Sequence, residues 1–201
     1  MDILNKEEQT VEIKNARRIE IKEYLNLLDL TVDIPVETIP IVNEKTYQTV
    51  ISQPGFRYSQ AETLVKGLMK DENFQSISVT NRKCILDRIL NEIKGRMMEE
   101  IVLLETKKAR PDKDMFKLKF ALGEFDVVVF DPENITSEIY EIKHSTEAVP
   151  SQYRHLVDEK KCRETEFQFG QIIRKCVIYR GENRREGEVE YLNVEEYLKG
   201  L

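Results

Sequence analysis

The chain has 201 residues, of which 40% are hydrophobic and 34% charged, and a net charge of −6. That length suits one or two domains with a real core, and the composition is that of a charge-rich globular protein rather than a disordered one. No apolar run approaches the roughly 20 residues of a membrane span, and the acidic start MDILNKEEQT does not read as a signal peptide, so the expected location is the cytoplasm.

Cys84, Cys162 and Cys176 lie far apart with no CxxC, which argues against a disulfide framework or a Cys-rich zinc site and for reduced, packed thiols. Two histidines, His144 and His155, are too few for a His-rich metal site. The negative net charge gives no global attraction to nucleic acid. RGENRREG (180–187) and TKKAR (106–110) are candidate local basic patches, although such runs are more often solvated loops or helix ends.

In chain order, TVEIKNARRIEIKEYLNLLDL places Ala16, Ile19, Tyr24, Leu27 and Leu28 at roughly helical spacing. Pro35 and Pro40 interrupt it around a short extended stretch. ISQPGFRYSQ holds a Pro-Gly turn, and Ser59 with Glu62 has the spacing of a capping box. Ala61, Leu64, Val65 and Leu68 then mark an amphipathic helix. From about Asn81 to Lys108 the pattern predicts one long helix, stopped by Pro111, with the stripe Leu86, Ile89, Leu90, Ile93, Met97, Ile101 and Leu104. Beyond Gly95 the apolar positions spread around it, as in a helix entering a core. Gly95 itself suggests close backbone approach.

MFKLKFAL, EFDVVVFD and EIYEIK read as three strands, expected to be neighbours beneath the long helix. VPSQYRHLVDEKKC follows with Pro150 suited to a first helical turn. RKCVIYR and EVEYL read as two further strands, Asn193 with Glu196 as a capping box that opens a terminal helix, and Gly200 as its end. This order predicts an α/β (α+β) core at 79–201 behind a separate, mainly helical piece at 1–78.

Glu-Ile-Lys occurs at 12–14, 20–22, 92–94 and 141–143, and the first three fall in helical stretches where both residues suit a surface. The fourth lies in a strand, and Asp126 sits among Phe125, Val127, Val128, Val129 and Phe130 in the strand before it. Buried unpaired charge costs several kcal/mol, so these groups must satisfy one another or surround something that does. Glu141 and Lys143 share a strand face. Two carboxylates and an ammonium suit a divalent cation and a phosphodiester, and they equally suit a buried ion pair. Glu99 falls in the part of the long helix that enters the core, where a carboxylate could complete the metal site or mark the edge of an amphipathic face. Glu100, beside Arg96, reads as a surface ion pair.

GRMMEEIV on a long helix, GEFDVVVFD, EIYEIKHS and SQYRHL together resemble the PD-(D/E)xK nuclease superfamily. The resemblance implies a restriction-endonuclease-like core over about 80–201 that hydrolyses phosphodiesters. It carries catalytic roles onto Glu99, Asp126, Glu141, Lys143 and, on the following helix, Gln152, with Mg²⁺ or Mn²⁺ on Asp126, Glu141 and Glu99. A narrower similarity, carried by YLNLLDL, SQPGFRYSQAETL, GRMMEEIV and VIYRG, is to the C-terminal region of bacterial and archaeal AAA-type ATPases of unknown function. In those, a P-loop module precedes a winged-helix-like piece and a nuclease-like domain. No GxxxxGK[ST] occurs here. The readings implied are a metal-dependent nuclease with DNA as its expected substrate, or a catalytically silent nuclease-like module serving an ATPase partner. Nucleic-acid binding by a winged helix within 1–78 is weakly supported by Arg17, Arg18 and Arg57.

Overall fold

A computed structural model of the chain describes residues 15–41 and 45–201. Residues 10–14, read as the start of the first helix, lie outside that range. Among the described residues the chain forms six α-helices and one mixed, eight-stranded sheet.

After helix α1 (Asn15–Leu27), strands β1 (Thr31–Ile39) and β2 (Thr46–Ile51) form an antiparallel pair. Helices α2 (Gly55–Leu68) and α3 (Glu72–Gln75) lead to the long α4 (Val79–Ala109). Three antiparallel strands follow: β3 (Asp114–Phe120), β4 (Glu124–Asp131) and β5 (Thr136–Ile142). A 3₁₀ turn (Pro150–Gln152) and α5 (Glu159–Phe169) cross to β6 (Gln171–Tyr179), which pairs parallel with β5. Strands β7 (Arg184–Glu186) and β8 (Val189–Asn193) and helix α6 (Val194–Lys199) complete the chain. Across the sheet the order is β2-β1-β3-β4-β5-β6-β8-β7.

The sheet runs through the boundary expected at 78/79. β1 pairs parallel with β3 from Val36 to Ile39, so the strands of the first 78 residues extend the main sheet instead of forming a separate winged-helix-like unit. Burial explains why: Ile34 and Val50 are fully inside the core that α4 covers. Pro35 is tolerated because it lies before the β1–β3 pairing begins.

The long helix packs on the three strands, as its widening apolar arc predicts. Met98, Val102 and Leu103 meet Met115, Val127, Val129, Tyr140 and Ile142 on one face of the sheet. On the other face Phe116, Leu118, Phe125, Val128 and Ile139 pack with Leu156 and, on α5, Cys162. Ser78 caps α4 by accepting from Asn81 N, and Lys107 and Lys108 stand in the last turn, where cations suit the helix dipole. Gly170 ends α5 at φ +72, and a Cβ there would lie 1.9 Å from Ile135 O, so the turn into β6 requires glycine.

Four local expectations change. Helix α2 starts at Gly55, and Ser59 lies inside it, donating to Gly55 O (3.3 Å) instead of opening a capping box. Glu100 is buried and bound by Arg57 (2.6 Å), so it anchors α2 to α4, and Arg96 pairs with Glu92 instead. A Cβ at Gly95 would meet only His144 Cβ at 3.8 Å, an ordinary contact, so alanine fits there. Asn193 caps α6 as expected, while Glu196 accepts from Asn183 rather than closing a box.

Candidate functional site

The site begins with a break in register. Phe116 faces Val128 and Leu118 faces Phe125, so two β4 residues, Asp126 and Val127, stand opposite the single residue Lys117 of β3. The extra residue is a β-bulge, which explains how Phe125 and Val128 both reach the α5 face. Bulges bend a strand and re-aim side chains, and this one sits at the acid. Pairing of β4 with β5 ends at Val127 and Tyr140. Beyond it the Asp126 carboxylate replaces the missing backbone partner, with Ile142 N donating to Oδ2 at 2.7 Å.

Glu141, 2% exposed, therefore lies beside Asp126. Lys143 Nζ donates to Glu141 Oε2 at 2.6 Å and stands 3.6 Å from Asp126 Oδ2. Glu141 Oε1 has no hydrogen-bond donor although it is buried. Burial first, and the Asp126 charge second, push the Glu141 carboxyl up to about 8 against the pull of Lys143. Two carboxylates this close resist being ionised together unless a cation joins them. Lys143 is held above the ordinary lysine value, because Asp126 and Glu141 outweigh its desolvation.

Glu99 comes from α4 but binds Lys117 Nζ at 2.5 Å, with Glu124 at 3.6 Å from the same ammonium. Burial raises the Glu99 pKa more than Lys117 lowers it, with Asp126 adding to the rise. Lys117 is raised as well, since the surrounding carboxylates outweigh its burial. The ammonium thus stays charged and the strain of burial falls on Glu99. Gln152 stands on no α-helix. It lies in the 3₁₀ turn, not on α5, and its amide accepts from Val149 N and donates to Ser145 Oγ and Glu147 O. Pro150 starts that short turn, and the helix proper waits for the Asp158 cap.

An open groove of about 870 Å³ runs along α4 and reaches Glu99, Ile142, Lys143 and His144. Lys83, Arg88 and Arg96 line it with Asp87 and Glu92, so its charge is mixed. The run at 106–110 contributes to the fold instead, with Lys107 bound to Asp33 O and Arg110 to Glu138. Among the described residues no group of three or more His, Cys, Asp or Glu side chains is gathered for a metal ion. A divalent cation fits the Asp126–Glu141 pair in its hard oxygen donors and in the undonated Oε1, with water left to supply the remaining positions.

Lys117 is the member of the site that sequence pattern missed. Alternation in MFKLKFAL puts it with Lys119 on a wet face, yet it is 4% exposed and opposite the bulge. Nothing in the local sequence marks the difference, because the bulge and α4 that enclose it are tertiary features. Comparison with protein-family models, curated proteins and solved structures returns no match.

Proposed function

We propose that this chain is a metal-dependent nuclease with a PD-(D/E)xK-type site and a restriction-endonuclease-like core, acting on nucleic acid, with DNA as the expected substrate. The observation that carries the reading is the buried Asp126–Glu141 pair, with an undonated carboxylate oxygen and a lysine bridging both acids. Asp126 and Glu141 would hold Mg²⁺ or Mn²⁺. The bound metal would stabilise phosphodiester charge and lower the pKa of a water. Lys143, about one-third exposed and lining the groove, holds a proton at Nζ and presents its charge toward an incoming phosphate. Glu99, bound by Lys117 and within electrostatic reach of Asp126, would complete the metal's ligands from α4. Gln152 shapes the loop after β5.

One observation favours the second reading, a silent nuclease-like module of an ATPase. Lys143 and Lys117 already neutralise Glu141 and Glu99, so the charges are compensated without a ligand. The two readings separate in a cleavage assay on single- and double-stranded DNA and RNA with Mg²⁺, Mn²⁺ or EDTA, run beside calorimetric metal titration. The nuclease reading expects metal-dependent cleavage, abolished by Asp126→Ala and lowered about 10²–10³-fold by Lys143→Ala with metal binding retained. An intact chain that shows no cleavage and no metal binding sinks it.

A further inference from the structure

A second cluster of basic groups lies on the α5 side of the same site. Lys161, in the first turn of α5, is only 8% exposed, and its hydrogen-bond partner is the His155 Nδ1 at 2.7 Å. It forms no salt bridge among the described residues. Its remaining neighbours are the face of Phe120, with the ring centre at 5.1 Å, and the more distant charges of Asp158 and Glu141. A lysine in a first helical turn also opposes the helix dipole. A buried ammonium without an anion in contact is a costly arrangement.

His155 sharpens the point. Arg154 Nε approaches its other ring nitrogen at 3.4 Å. A neutral imidazole has one acceptor nitrogen, so it cannot accept from both cations. Burial first, and then the charges of Lys161, Arg154 and Lys143, disfavour a charge on His155. Asp158 is the opposing acid, but its carboxylate already caps α5 through Lys160 N and Lys161 N. The backbone packs closely against this pair on one side. Gly123, solvent-exposed at φ +83, would with a Cβ come within 2.7 Å of His155 Cε1 and 3.0 Å of Lys161 Nζ.

We propose that Lys161 and His155 form a phosphate-binding subsite approached from the half-buried His155 and the exposed Arg154 at its rim. Its role rests on the nuclease reading: Lys161 lies within electrostatic reach of Glu141, so the subsite would seat a phosphate of the nucleic-acid substrate next to the one at the acid pair. The anion supplies the oxygen acceptors that the ammonium lacks, and it allows His155 to take up a proton. A backbone diester and a terminal phosphomonoester share this chemistry.

The test titrates inorganic phosphate into the intact chain in EDTA and follows the imidazole NMR signals. Phosphate should shift His155 and raise its pKa while leaving His144 unmoved. Lys161→Met should weaken that binding by at least about tenfold and Lys161→Arg should retain it, a difference of about 1.4 kcal/mol. His155→Gln, at a less buried position, is the second variant should Lys161→Met fail to fold, and is expected to weaken phosphate binding measured calorimetrically. Oligonucleotides with 5′-phosphate or 5′-hydroxyl ends separate the sources: loss of affinity in Lys161→Met for both marks an internal diester, and loss for the phosphorylated one alone marks a terminus. A silent His155 signal, or unchanged affinity in the variants, overturns the subsite. Phosphate binding with neither cleavage nor metal binding would sink the nuclease reading and leave the subsite standing.

Discussion

Strand β5 carries two glutamates three residues apart, and their surroundings differ in kind. Glu138 is saturated: Arg110 Nη1 donates at 2.8 Å, Arg174 stands at 3.7 Å, and the Tyr140 hydroxyl also donates. Burial and the neighbouring acid drive the Tyr140 hydroxyl well above the usual tyrosine range, so it remains a donor. Glu141 has one lysine, a carboxylate neighbour and an oxygen with no donor. The first arrangement is complete without a ligand and ties α4 and β6 to β5. The second stores like-charge repulsion that a cation would relieve. Acid residues on one strand thus divide into fold and site according to what surrounds them.

The largest expected effect breaks the site and spares the fold. Asp126→Asn keeps an acceptor for Ile142 N while removing one of the two adjacent charges. Metal-dependent cleavage should vanish, with the thermal midpoint equal to or above that of the wild type at pH 8. A midpoint several degrees lower would mean that the Asp126 charge serves the Lys143 ion pair more than it burdens Glu141.

The converse change breaks the fold and spares the site. Arg110→Met strips Glu138 of its nearest cation and should lower stability by about 2 kcal/mol, less than the roughly 3–5 for a fully buried pair because both side chains are partly exposed. Urea unfolding measures the loss, and calorimetry should find metal affinity unchanged. Equal damage to both would erase the distinction between the two glutamates.

Proton linkage gives a smaller, graded effect. With its carboxyl raised from 4.5 to about 8, Glu141 binds a proton more tightly in the folded chain than in the unfolded one. Its stabilising contribution is full below 4.5 and fades as pH rises through about 8. Metal binding runs the other way, because the ligand must ionise: affinity should climb from about pH 6 to about pH 8 with release of up to about one proton. Calorimetry in buffers of different ionisation enthalpy counts that proton, and Asp126→Asn should diminish it.

Gln152→Ala should matter least. Its bonds hold the loop after β5 at a half-buried position, so about 1 kcal/mol or less of stability is at stake. Cleavage should be unchanged in the same assay, and a large fall would bring Gln152 into the site despite its place in the 3₁₀ turn.

Much of the main architecture was legible in the sequence because it rests on periodicity. The 3.6-residue stripe of α4 and the alternation in β3, β4 and β5 depend on neighbours a few residues away, and the same holds for the Asn193 cap of α6. The prospective acids Asp126 and Glu141 stood out for a similar reason, as charges inside apolar strands. Tertiary structure alone decided what lies across space. It brought β1 and β2 onto the edge of the sheet through Ile34 and Val50, placed Lys117 under Glu99 and Arg57 on Glu100, and kept Gln152 in a loop. It also set Lys161 against His155 on the α5 side of the site. Each of these pairings joins residues from separate elements, and their distance in space follows from sheet order and the bulge at Asp126, neither of which is written in local spacing.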